Sequence, residues 1–198
     1  MKVFESTNAY TKERQDRFCR LTFVLDSDRR RFGADGNFRG APLAAEFLTP
    51  YSVVRSTEFP GALELPLGDR QAIGYYTDPM VLSKRALDAL LPRIGNAVQL
   101  VPLEFSEGEY WAINVTRVLD ALDVERSELE RFPSSGRVSR VLRHTFKVAA
   151  LKDQLIFKIP QVPARTFVTD QFVNLVNDAG LTGFAFNEVW AESAVTAT

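Results

Sequence analysis

The side chains most often used in catalysis are scarce in this sequence. It holds one histidine, His144, and one cysteine, Cys19. Any Ser-His-Asp or Cys-His relay would have to pass through His144. That residue stands between Arg143 and Thr145 at a strand boundary, with no nucleophile motif in the chain. Ser134-Ser135-Gly136 lacks the preceding glycine of a nucleophile elbow. His144 therefore reads as a structural or surface residue. Zinc sites built from His and Cys need more of these ligands than the chain holds. Asp26, Asp28, Asp35 and Asn37 miss the spacing of a calcium loop, and no bidentate glutamate follows at the right offset. Gly33, Gly36 and Gly40 do not form a G-x-G-x-x-G phosphate loop. The expectation is a protein with no catalytic residue, no metal and no cofactor.

Charge offers more. Arg29-Arg30-Arg31 lies between aromatic residues Phe32 and Phe38 and Asp26 and Asp28. Arginine beside aromatics can hold a phosphate and stack a base, but the nearby aspartates favour an ordinary charged loop. From Glu104 to Glu130 eight acidic residues face only Arg117 and Arg126. Such an imbalance can steer a basic partner; the blander reading is a solvated surface. Within it, Glu107, Glu109, Asp123, Glu125, Glu128 and Glu130 are the candidate partner-binding residues. Asn114-Val115-Thr116 has the form of a glycosylation acceptor but falls in a predicted strand.

The elements that would carry these residues follow from periodicity. Leu21–Leu25, Tyr51–Arg55 and Gln71–Tyr76 read as strands, and Asp26–Gly40 as a long exposed loop. Ser83 caps a predicted helix whose Leu87, Leu90, Leu91 and Ile94 keep helical spacing, with Gly95 as its left-handed stop. Val98–Phe105 and Tyr110–Thr116 read as strands joined by the turn Ser106–Glu109. Arg117–Phe132 is predicted partly helical. Arg137–Leu142, Phe146–Leu151 and Leu155–Ile159 read as strands, the last two joined at Asp153-Gln154. Thr166–Thr169 is a short strand. A helix burying Phe172, Leu175, Val176 and Ala179 follows and stops at Gly180, and Leu181–Trp190 is a closing strand. Helices and strands mix without regular alternation, so the expected class is α+β with a mainly antiparallel sheet.

Composition agrees with a folded chain. Of 198 residues, 45% are hydrophobic and 11% aromatic, against 24 basic and 25 acidic side chains. Disorder and a globally basic nucleic-acid binder are both disfavoured. No apolar run approaches a membrane span, and Met1–Glu5 does not resemble a signal peptide. One cysteine permits no internal disulfide, so a cytoplasmic setting is expected. We treat residues 1–198 as one domain, with an N-terminal lobe over 1–80 and a C-terminal lobe over 81–190.

Certain runs resemble a known family. Val81-Leu82-Ser83 to Leu91, Glu109-Tyr110-Trp111-Ala112-Ile113-Asn114-Val115-Thr116 and Leu119-Asp120-Ala121-Leu122-Asp123 form one series. Phe157-Lys158-Ile159-Pro160, Phe167-Val168-Thr169-Asp170 and Ala179 to Phe186 continue it. Over roughly residues 80–190 the chain resembles a bacterial immunity-protein family of polymorphic-toxin systems, formerly a domain of unknown function. The resemblance implies an α+β fold, a cognate toxin encoded in the adjacent gene, no enzymatic activity and no catalytic or ligand residues to carry over. The expected function is stoichiometric occlusion of that toxin, without membrane or direct nucleic-acid binding. Two alternatives stand beside it. One is a small-ligand or enzyme domain using arginine and carboxylates such as Glu107 and Glu109. The other is a nucleic-acid accessory protein using the Arg29 loop. Oligomeric state is left open.

Overall fold

A computed structural model describes residues 1–8, 17–35, 38–58, 61–74 and 76–192. Its elements run β1 (Lys2–Asn8), β2 (Arg20–Phe23), α1 (Asp26–Arg30), β3 (Tyr51–Arg55), β4 (Arg70–Ile73), β5 (Tyr76–Ser83), α2 (Lys84–Ile94), β6 (Val98–Glu104) and β7 (Tyr110–Val115). They continue with β8 (Glu128–Arg131), β9 (Val138–Arg143), α3 (Val148–Leu151), β10 (Ile156–Phe157), β11 (Phe167–Thr169), α4 (Asp170–Asp178) and β12 (Phe184–Ala191). Few short helices and mainly antiparallel pairing make the fold α+β, as expected.

Six strands close into a barrel in the order β2-β3-β6-β7-β5-β4. Only the β2–β4 and β3–β6 contacts are parallel. Closure leaves no strand edge unpaired. Leu21, Tyr51, Val53, Ile73, Val81, Val101, Leu103 and Ala112 fill the interior. Phe32 enters the same cluster, 1% exposed, against Phe23, Phe38 and Tyr51 at ring distances of 4.9, 4.7 and 5.2 Å. Burying that ring stabilises the segment by roughly 1.5–3 kcal/mol. This corrects the expected long loop over Asp26–Gly40: its first part is α1 followed by a π-helical turn at Arg31–Asp35, anchored by Phe32. Polar composition suggested a loop because it gave no weight to that one buried ring. Gly36 and Asn37 lie outside the described residues.

The second sheet has the order β10-β11-β1-β12. Helices α2 and α4 cover one face. Ser83 Oγ accepts from the Ala86 amide at 3.1 Å, capping α2 as predicted. The helix buries Ala86, Leu87, Leu90 and Ile94, while α4 buries Phe172 and Val176. They meet Met80, Ile113, Ile156 and Val168 in one core. Gly95 does not stop α2 in a left-handed turn; its φ is −57° and the chain continues as a 3-10 turn to Ala97. Gly180 does take φ +59° after α4. The opposite sheet face packs Val3, Phe157 and Phe167 on Ala121, Leu122, Phe146 and Leu151.

Asp69 ties barrel to sheet. Its carboxylate accepts from Arg85 at 2.6 Å, Ser83 Oγ at 2.9 Å, the Thr182 amide at 2.9 Å and Thr182 Oγ1 at 3.1 Å. The Arg70 amide donates to the Thr182 carbonyl at 3.0 Å beside it. Strands from both sides of residue 80 share each assembly: β2 to β5 join β6 and β7, and β1 joins β10 to β12.

Two other expectations are corrected. Arg117–Phe132 holds no helix; it runs as isolated bridges, a turn and then β8. The apolar residues there, Leu119, Ala121 and Leu122, point into the core beneath the sheet, so their spacing follows an irregular extended path. Phe146–Leu151 is a single bridge and the short helix α3. Asp153, at φ +59°, lies in the turn after that helix and not in a hairpin.

Candidate functional site

β8 and β9 form a two-stranded hairpin outside both sheets. Leu129 and Val141 are cross-strand partners on its inner side, and both pack on the core beneath the four-stranded sheet. Phe132 and Leu142 stay exposed. Between β9 and the outer face of the four-stranded sheet lies a groove of about 800 Å³. Its floor is a cross-strand row: Glu5 in β1 is in register with Phe167 of β11 and Asn187 of β12. Residues in register across a sheet share a face, so the row is a direct product of strand pairing. Ser139 to His144 form one wall, with Val162 and Arg165 at the other side.

Six ionisable side chains converge there, Glu5, Arg140, Arg143, His144, Arg165 and Glu188. Arg165 is held by Glu5 at 2.5 Å. Glu188, also in the lining, is paired to Lys2 at 2.7 Å. Arg140 and Arg143 stand opposite Glu130 and Glu128 in the hairpin register, but neither guanidinium forms an ion pair among the described residues. His144 stacks on Phe146 at 5.8 Å and meets the edge of Phe167 at 5.5 Å. Burial pushes its pKa below the ordinary value, favouring the neutral ring. The site is thus an arginine-lined cleft with a partly aromatic floor.

The acids expected to bind a partner fall on two different elements. Glu107 and Glu109 occupy the β6–β7 turn of the barrel, as predicted. Arg55 grips Glu107 with Nε 2.9 Å from both carboxylate oxygens, and that hydrogen bonding holds the Glu107 carboxyl below its usual range. Glu109 is exposed. Asp123 is paired with Arg126 at 3.7 Å, Glu125 lies in the following turn, and Glu128 and Glu130 are on β8, not on a helix. None of these six lines the groove. The acidic stretch is also answered by chain that follows it. From Glu125 to Arg143 three acids meet Arg126, Arg131, Arg137, Arg140 and Arg143, so the folded hairpin is net basic.

The arginine loop is engaged locally. Arg29 and Arg30 pair with Asp26. Arg31 lies over the Tyr51 ring at 4.4 Å and donates to Thr49 Oγ1 at 2.9 Å. Among the described residues no group of three or more His, Cys, Asp or Glu is placed to hold a metal ion. Cys19 is buried, which pushes its thiol pKa up despite the opposing effect of Arg55.

Residues 98–191 match the model of an immunity protein family, Imm11. A comparison with curated proteins finds no match. The immunity-family segment runs from β6 through β12, so it includes the hairpin and every groove residue except Glu5. It begins after Val81–Leu91, part of the series that suggested the resemblance. The match supports an immunity role for the chain. Sequence reasoning missed the groove because its lining comes from four stretches distant in sequence. The one local signal was Phe132-Pro133-Ser134-Ser135-Gly136, turn-forming residues between two short alternating runs.

Proposed function

We propose that this protein binds a cognate toxin, encoded in the adjacent gene, and neutralises it by stoichiometric occlusion in the cytoplasm. The observation that carries this reading is the immunity-family match over residues 98–191. Two features of the fold support it. The matched segment contains an exposed hairpin with unburied Phe132 and Leu142 beside an open cleft, a shape suited to gripping another protein. Among the described residues, no helix is long and apolar enough to cross a membrane. The exposed acids form two separate contact patches, Glu107 with Glu109 and Asp123 with Glu125, Glu128 and Glu130. Each could approach the basic surface of a toxin that binds nucleic acid.

The test is co-expression with the neighbouring gene product, followed by co-purification and titration of protection. The expected result is a complex of fixed composition, with toxin activity falling linearly to a fixed ratio. Protection at strongly substoichiometric amounts would instead require turnover.

A further inference from the structure

Side chains alternate across a strand, so one face contributes only every second residue to a surface. The groove is lined by six consecutive residues, Ser139 to His144. Two bulges in β9, at Ser139 and Leu142, break its alternation and let neighbouring residues turn toward one cavity. Among the described residues β9 pairs with β8 alone, so its other edge carries backbone groups without a sheet partner there. Opposite, consecutive residues Asn187 to Val189 line the same groove, and they belong to β12, the edge strand of the four-stranded sheet. Two strands that each lack a sheet partner on one edge, β9 and β12, thus both contribute to the lining.

We propose that this groove is the docking site for an extended, acidic segment of a protein partner, which adds as a strand to the open edge of β9. The partner is the toxin of the preceding reading, on which this inference rests. Main-chain hydrogen bonding along an exposed edge supplies affinity without regard to sequence. Charge supplies the selection. Among the described residues Arg140 and Arg143 form no ion pair, though Glu130 and Glu128 stand opposite them in the ladder, while the acids of the lining, Glu5 and Glu188, are already engaged by Arg165 and Lys2. An arriving carboxylate thus meets two guanidinium groups not committed to an ion pair among the described residues, each able to take it in bidentate fashion. Charged residues along an edge also block indiscriminate strand pairing, so the same arginines that repel a second copy of this edge accept an acidic strand. The six residues of β9 span about 20 Å, enough for a segment of roughly six residues.

The experiment uses the full chain and a catalytically inactive form of the adjacent-gene toxin. Binding is compared for wild type, Arg140→Gln/Arg143→Gln and the charge-retaining Arg140→Lys/Arg143→Lys, with thermal melts to verify folding. Hydrogen exchange is then followed by mass spectrometry on free and bound wild type. The expected results are roughly tenfold or greater weakening in the glutamine variant, partial recovery with lysine, and new protection of β9 amides in the complex. A wild-type complex with unchanged β9 exchange, or equal affinity for the folded glutamine variant, overturns the groove assignment and leaves the toxin reading standing. Absence of any wild-type complex removes the partner and the groove's occupant together. Binding of single-stranded RNA that the glutamine variant loses would give the cleft to a nucleic acid and overturn the proposal.

Discussion

Gly183 carries a constraint that no local pattern reveals. It is buried with φ +85°, and a Cβ there would fall on the Arg70 carbonyl oxygen. The Arg70 backbone cannot retreat easily, because its amide is bonded to Thr182 and Asp69 beside it accepts four hydrogen bonds. Gly183→Ala should therefore destabilise the protein by roughly 2–5 kcal/mol, combining left-handed strain with overpacking. A denaturant midpoint equal to wild type would show that the junction yields freely. The sequence placed Gly183 inside a closing strand over Leu181–Trp190, whereas β12 begins at Phe184. The contact of Gly183 with Arg70 was not legible, since the partner lies 113 positions away from the segment it touches. His144 was legible in part. Its structural character was legible from the absence of a nucleophile, whereas its edge contact with Phe167, 23 positions on, exists only in the fold.

Among the elements, the hairpin has the most to test. Glu130 faces Arg140 and Glu128 faces Arg143, so reversing either glutamate places like charges directly across the ladder. Each such pair costs roughly 0.2–1 kcal/mol. Glu128→Lys/Glu130→Lys should thus speed amide exchange in β8 and β9 while leaving barrel amides unchanged; uniform exchange behaviour across both would contradict the pairing. Glu125, in the turn before β8, has no such cross-strand partner. Glu125→Lys should preserve hairpin exchange but slow association with a basic toxin surface, with the defect fading at high salt. Association rates equal to wild type at low ionic strength would exclude that side chain from the encounter. The elements with strong periodicity were legible: α2 from Leu87, Leu90 and Ile94, and α4 from Phe172 and Val176. The hairpin's charge was not. The acids of β8 and the arginines of β9 are consecutive blocks in the chain, and only antiparallel pairing brings them opposite each other.

For the whole molecule, the family match and the cooperative fold have different boundaries. Residues 98–191 contain β6 and β7 but lack β2 to β5, which complete the barrel. They contain β11 and β12 but lack β1, which lies between those two strands. A fragment of residues 98–191 would expose Ala112 and Ile113 on one side and Phe157 and Phe167 on the other, all at most 1% exposed in the intact fold. It should show no cooperative thermal transition by circular dichroism, and a sharp two-state melt would prove the segment autonomous. The α+β class could be read from mixed elements, but the closed barrel could not. Parallel contacts such as β2 with β4 and β3 with β6 carry no short-range signature, because long connections separate their strands.

The placement of β1 also sets the order of events during synthesis. It is made well before both its neighbours, β11 and β12; Lys2 meets Asp170 across 168 positions. At translation rates of about 5–20 residues per second, β1 waits on the order of 10–30 s for its partners. The sheet that floors the groove therefore cannot assemble until β12 has been made. Under the reading advanced above, a molecule can offer the groove to a toxin only once that last strand is in place.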